Sequence, residues 1–249
     1  VRSRISSLIF RRPPKTVMRP SQSDGFSSDP AFYSAYLTGC STVVACARRS
    51  VERRAFTHQF DQCKDADMST IYDIPVNAID GAQTTLRTYE GKVLLVVNVA
   101  SKCGLTPQYE GLEALYEGKR ADGLEVLAFP ANNFKGQEPG TDAEIQSFCT
   151  GTFGVTFPLF SKISVIGDDQ HPLYRSLTRA QPQATGDGPF RARLEGYGIQ
   201  PNPAPDVLWN FEKFLVSRSG EVVARFSPDT AADDPKLVAA IDAELAKAA

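Results

Sequence analysis

The stretch Val93 to Thr106, VLLVVNVASKCGLT, constrains this chain more than any other. Val93 to Val97 is apolar throughout and rich in β-branched residues. It has no face to give to water, so it reads as a strand covered on both sides, as in the middle of an α/β sheet. The run then breaks into a short polar turn, with Cys103 just beyond the strand's carboxyl end. Open α/β sheets place ligands in the crevice beyond those strand ends. The element after the turn begins as a helix, whose free N–H groups favour an anion such as a thiolate.

The flanking sequence supplies the rest of such a sheet. From Met68, IYDIPVNAIDGAQTTLRTYEG gives two short extended pieces around Asp80-Gly81, a strong hairpin signal. After the cysteine turn, Thr106-Pro107 reads as an N-cap with proline at the first helical position, and Tyr109, Leu112, Leu115 and Tyr116 share one face. Gly123 closes that unit and Leu124 to Phe129 forms a second apolar strand, so the two strands are parallel with a right-handed crossover.

An irregular loop, PANNFKGQEPGT, follows at that strand's carboxyl end. Thr141 and Glu144 make a capping box for a helix with Ile145, Phe148 and Cys149 on its apolar face. Phe157 to Ile163 reads as a short strand or extended piece. His171 before Pro172 is placed in a loop without a catalytic role, and residues 179–205 form a long loop, of a length that is usually functional or mobile. Trp209 to Val216 alternates its faces and turns at Arg218-Ser-Gly220 into VVARF, an antiparallel hairpin. Asp234-Pro235 caps a last helix with Leu237, Val238, Ile241 and Leu245 inward.

This order is that of a thioredoxin-like α/β fold, a central mixed β-sheet flanked by helices and preceded by an N-terminal β-hairpin. It carries a spatial expectation. A strand antiparallel to the central pair begins where the parallel strands end, so Trp209 and Asn210 should reach the rim that holds Cys103 and loop 130–140.

The totals bound the remainder. A chain of 249 residues is long enough for one large domain, or for a medium domain with an appendage. Its formal net charge of -2 argues against general nucleic-acid binding, but residues 1–67 carry +5 and the rest -7. Residues 1–67 are rich in Arg, Ser and Pro and keep no sustained period. They read as a disordered extension or as upstream sequence included by a misplaced start, with a transit peptide as the alternative. The functional domain is expected over 68–249. Cys40, Cys46 and Cys63 have neither CxxC spacing nor histidines at zinc-finger distance, so no metal site is expected. No apolar run reaches the roughly 18 residues of a membrane span. The expectation is a soluble, monomeric, cytoplasmic protein, or a periplasmic or organellar one if 1–67 is a targeting segment.

The rim residues define a chemistry. Only a thiolate is a competent nucleophile, and hydrogen-bond donors stabilise it. Gln137 and Asn210 offer amide N–H groups and Trp209 an indole N–H. Such neutral donors suit a small neutral oxidant. Attack on a peroxide O–O bond would leave Cys103 as a sulfenic acid. Thr106 stands where a CxxC motif would hold its second cysteine, so that acid must be resolved by a distant cysteine or by an external thiol. Cys149 is the only other cysteine in the domain, and its apolar helix face equally allows inert packing.

The stretches NVASKCGLTPQYEGLEALY, LAFPANNFKGQEPG and LWNFEKFLVSRSG resemble the signatures of the glutathione peroxidase family, over about Tyr72 to Lys247. The resemblance implies a thioredoxin fold and reduction of hydrogen and organic hydroperoxides. It places the reactive residue on Cys103, the non-selenium type, and the family's glutamine, tryptophan and asparagine on Gln137, Trp209 and Asn210. It implies thioredoxin or glutathione as reducing co-substrate and no bound cofactor. Many cysteine-type relatives have a cysteine within the segment FPANNF, where this chain has Ala131. Cys149 falls near the usual resolving position, which makes it the resolving candidate and implies that residues 145–153 melt locally on oxidation. Two other readings stay open, a peroxide sensor that relays its disulfide to a partner and a non-catalytic binding or transport accessory protein. Arg191 and Arg193 could steer an acidic substrate, although solvated loop charges are the plainer reading.

Overall fold

The computed structural model describes residues 70–248; the expectations for residues 1–67, with Cys40, Cys46 and Cys63, lie outside the described residues. Strands β1 (Pro75–Asn77) and β2 (Gln83–Thr85) form the expected hairpin, with Gly81 supplying the positive φ of its turn. Strand β3 (Val93–Val99) has no exposed residue, as its composition requires. It lies between β4 (Leu124–Pro130), parallel to it, and β5 (Lys213–Val216), antiparallel to it, while β6 (Val222–Phe226) pairs with the far side of β5. The sheet order is thus β4-β3-β5-β6.

Helix α1 (Gln108–Lys119) makes the crossover from β3 to β4 and buries Tyr109, Leu112 and Leu115. Helix α2 (Asp142–Phe153) starts at the expected capping box, in which Thr141 and Glu144 satisfy each other's backbone N–H groups. Helix α5 (Pro235–Leu245) is capped by the Asp234 side chain and buries Leu237 and Ile241. In the core, Phe129 stacks on Phe160 at 4.4 Å between ring centroids and meets the edge of Tyr174. Each such fully buried aromatic stabilises the fold by about 2 kcal/mol through apolar burial. The segment around Leu159 and Phe160 is extended without being a full strand; it bridges Ala128 of β4 and Ala78 beside the hairpin, tying the two sheets together.

Four expectations are corrected. Pro107 occupies the N-cap of α1 and Thr106 caps nothing; its hydroxyl is used inside the cysteine turn instead. His171 does not sit in a plain loop. It is the N-cap of helix α3 (Pro172–Ala180), and its ring Nδ1 accepts the Leu173 N–H at 3.2 Å. The long loop 179–205 contains a helix, α4 (Asp187–Gly196), hidden in the sequence by its glycines and proline. The segment is held against the edge strand, where Arg225 donates to the carbonyls of Gln181, Pro205 and Asp206. Arg191 donates to the Asn202 carbonyl and Arg193 pairs with Asp229, so both serve this packing.

The fourth correction concerns Trp209 to Val216, which does not alternate. Every residue of it is buried, and the strand starts only at Lys213. Glu212 pairs with Arg225 in the interior, and Lys213 Nζ donates to Gln108 Oε1 at 2.6 Å and to the Pro228 carbonyl at 3.0 Å. Burial pushes the Lys213 ammonium down to about 7. The polar residues that suggested a solvated face are paired inside the protein.

Candidate active site

The antiparallel register decides where the site lies. Lys213, the first residue of β5, pairs with Val97, close to the carboxyl end of β3. The residues just before it therefore emerge at the rim that carries Cys103, as the topology requires.

Cys103 sits in a tight turn closed by Thr106. The Thr106 hydroxyl accepts the Cys103 N–H at 3.0 Å and donates to the Ala100 carbonyl at 2.8 Å. That closure brings the Leu105 N–H to 3.4 Å from the Cys103 sulfur. Cys103 is buried, at 8 % exposure.

Loop 130–140 carries Gln137 over this turn. Lys135 and Gly136 both have positive φ, 56° and 63°, which folds the chain back so that the Gln137 N–H reaches the Phe134 carbonyl. Glycine takes this conformation freely, and a lysine there marks a backbone held by its surroundings. Two contacts hold it. The Lys102 N–H donates to the Gln137 carbonyl at 3.0 Å, and the Asn132 side chain accepts the Glu138 N–H at 2.8 Å.

Trp209 and Asn210 lie in the turn before β5. Asn210 Nδ2 donates to Gln137 Oε1 at 2.9 Å. With its oxygen so engaged, Gln137 keeps its own amide N–H groups as donors. The Trp209 ring packs on Phe134 at 5.2 Å. Thus Gln137, Asn210 and the residue next to Cys103 are directly linked, with Trp209 beside them.

Two residues that position this turn escaped the sequence reading. Asn98 donates to the Trp209 carbonyl at 3.0 Å while its own carbonyl accepts the Phe211 N–H at 2.6 Å, clamping the turn from both sides. Glu212 Oε2 accepts the Leu208 N–H at 2.6 Å, and Phe211 between them has a φ of 68°. The signal for Asn98 was available as the one polar residue of VLLVVNV. The signal for Glu212 was masked by its resemblance to a solvated strand position.

Cys149 is fully buried within α2, and both it and Cys103 are free thiols. Burial pushes the Cys149 thiol up to about 11, with nearby Glu138 adding to the rise. Its helix faces the cysteine turn across a cavity of about 400 Å³ lined by Ser101, Lys102, Glu138, Ile145 and Phe148 among others. No helix among the described residues is long and apolar enough to cross a membrane.

A cysteine at a strand end with a backbone N–H on its sulfur, in a thioredoxin-like fold and beside a linked amide pair, is the arrangement of a thiol-dependent redox protein. The sequence model for glutathione peroxidase matches residues 71–178. Thioredoxin/glutathione peroxidase BtuE of Escherichia coli is 50% identical over 186 residues, covering 74% of this chain and 100% of its own. Hydroperoxy fatty acid reductase gpx1 of Synechocystis is 49% identical over 175 residues, covering 68% of this chain and 96% of its own. Among solved structures, that of T. cruzi GPX1 superposes with a TM-score of 0.53 at 33% identity, over 71% of this chain and 96% of that one. The chain therefore belongs to the glutathione peroxidase family, and as an enzyme it is an oxidoreductase of the peroxidase class.

Proposed function

We propose that this enzyme reduces hydrogen peroxide and organic hydroperoxides at Cys103, and that its oxidised form is resolved by Cys149 and returned to the thiol by thioredoxin. The Cys103 thiolate attacks one peroxide oxygen; the S–O bond forms as the O–O bond breaks. Cys103 becomes a sulfenic acid, and the leaving hydroxide or alkoxide takes a proton to become water or an alcohol. The donors of Gln137, Trp209 and Asn210 stabilise first the thiolate and then the charge developing on the leaving oxygen.

The observation that carries this reading is the Asn210 to Gln137 hydrogen bond beside the Lys102 to Gln137 backbone bond, which sets donor groups against the cysteine turn. The substrate class is supported by the names of the Escherichia coli and Synechocystis relatives, and a thioredoxin or glutathione reductant by that of the first. The proposed two-cysteine cycle requires α2 to open, since a disulfide needs Cα atoms within about 7 Å.

The test is steady-state peroxide consumption with thioredoxin and, separately, glutathione, comparing wild type with Cys103→Ser and Cys149→Ser. Activity should vanish in Cys103→Ser, and thioredoxin-driven turnover should vanish in Cys149→Ser. Normal thioredoxin-driven turnover in Cys149→Ser would assign resolution to an external thiol. Peroxide consumption indifferent to Cys103 would end the whole reading.

A further inference from the structure

Lys213, the first residue of β5, is fully buried and has no part in the chemistry described so far. Its Nζ donates to Gln108 Oε1 at 2.6 Å and to the Pro228 carbonyl at 3.0 Å, and Gln108 Nε2 donates to that same carbonyl at 2.8 Å. An ammonium, an amide and a carbonyl thus close a small ring. Among the described residues no carboxylate joins it. Glu212, beside Lys213 in the chain, pairs with Arg225, and Asp229, beside Pro228, pairs with Arg193. Burying a cation on neutral acceptors alone is unfavourable, and an apolar side chain of similar length would fill the space without that penalty.

The ring joins the two halves of the candidate active site. On one side, Gln108 opens α1 and its backbone N–H donates to the Leu105 carbonyl at 2.9 Å. Leu105 in turn gives its N–H to the Cys103 sulfur at 3.4 Å. Three hydrogen bonds therefore lead from the Lys213 ammonium to the reactive thiol. On the other side, Lys213 directly follows the turn that carries Trp209 and Asn210, and the Asn210 amide holds Gln137. That turn includes Phe211 at a φ of 68°, so its shape is imposed by its surroundings.

We propose that Lys213 is a positioning residue: by holding the first turn of α1 from the strand that follows Trp209 and Asn210, it keeps the Cys103 sulfur in register with the Gln137 and Asn210 donors. The inference rests on the reading of Cys103 as the peroxide-reducing thiol and adds what fixes the separation of the two halves. The Lys213 ammonium itself hydrogen-bonds neither the sulfur nor Gln137. An ammonium suits the task because it has three protons to donate and no acceptor of its own to satisfy, so it can hold two oxygens of different segments at once. Attack on the O–O bond needs the sulfur and the donors placed together around one small molecule. A misplacement of about 1 Å in such an arrangement costs on the order of 100-fold in rate.

The test uses the reduced full chain and compares wild type with Lys213→Met, Gln108→Met and the double variant. Methionine fills the volume and brings no donor to the ring. Loss of the free Cys103 thiol to hydrogen peroxide and, separately, to iodoacetamide is followed by peptide mass mapping. Oxidation needs the thiol and the donors together, whereas alkylation needs only the thiol. Lys213→Met should oxidise about 10-fold more slowly while its alkylation changes by less than about 2-fold. Its melting midpoint should not fall, since a buried charge without a counter-ion has been removed. Gln108→Met should show the same split, and the double variant should be no slower than Lys213→Met, because both substitutions break one link. Gln108 is half-buried, so its variant decides the matter should Lys213→Met fail to fold. Oxidation at the wild-type rate in the single variants, losses that multiply in the double variant, or equal losses in both reactions would overturn the proposal while leaving Cys103 as the peroxide-reducing thiol. Wild-type protein in which peroxide leaves Cys103 unoxidised would overturn both.

Discussion

The two free thiols of the domain occupy opposite environments. Cys103 sits in a polar turn at the end of β3, where a backbone N–H points at its sulfur from 3.4 Å. Cys149 sits mid-helix, fully buried, with its thiol pushed up to about 11 by the loss of water. The difference comes from where each backbone is free to donate. A strand end leaves N–H groups without ladder partners, available to a side chain. A helix interior spends them on the helix, so a sulfur there meets only carbon and whatever side chains pack against it. On the proposed two-cysteine reading, one cysteine reacts in the folded protein, whereas the other must leave its site to do so.

The sharpest way to break this contrast is to compare the two thiols in one experiment. Native reduced protein treated with iodoacetamide near neutral pH should label Cys103 more than about 100-fold faster than Cys149, because alkylation requires both thiolate and access. Peptide mass mapping over a time course reads both rates. Comparable rates would mean that α2 opens readily without oxidation, and the buried position of Cys149 would then be no lock.

The contrast was partly legible in the sequence. The apolar run of β3, the turn after it and the capping box of α2 are local patterns, and each formed where the residues implied. The convergence of Gln137 and Asn210 followed from topology, since an antiparallel neighbour must start where the parallel strands stop. What was not legible was pairing between distant polar groups. Glu212, Lys213 and Arg225 look like the wet side of a hairpin until their partners are known. Thr106 looks like a helix cap because the local pattern cannot reveal that its hydroxyl is claimed by Ala100 and Cys103. Helix α4 escaped because intrinsic propensity is a weak prior when glycine and proline are present and tertiary contacts hold the segment.

A smaller effect sharpens the comparison from the side of stability. The Cys149 thiol titrates near 9.0 without its fold and at about 11 within it. Between those values the unfolded chain has lost the proton and the folded chain still holds it, so stability falls as pH rises through this window. Below the lower value the contribution is fully present. Relative to Cys149→Ala, wild type should lose about 2 kcal/mol across the window. Denaturant melts of both proteins at several pH values measure it, and the cavity left by alanine adds only a constant offset. A flat difference between the two proteins would show that Cys149 is not desolvated as its position implies.

The smallest effect tests the other thiol. Thr106 shapes the turn that delivers the Leu105 N–H to the Cys103 sulfur, through one bond accepted and one donated. Thr106→Val keeps the volume and removes both bonds, leaving the Cys103 N–H and the Ala100 carbonyl without their partner in a buried turn. Losing them should destabilise the fold by about 2 kcal/mol. The turn should also loosen enough to move the sulfur from its donor, lowering the rate of Cys103 oxidation by about 10-fold. Thr106→Ser restores the hydroxyl and should restore the rate, which separates the hydrogen bonds from the lost methyl group. If valine reacts as fast as threonine, the turn geometry is set by the surrounding backbone alone, and the donor at the sulfur owes nothing to this side chain.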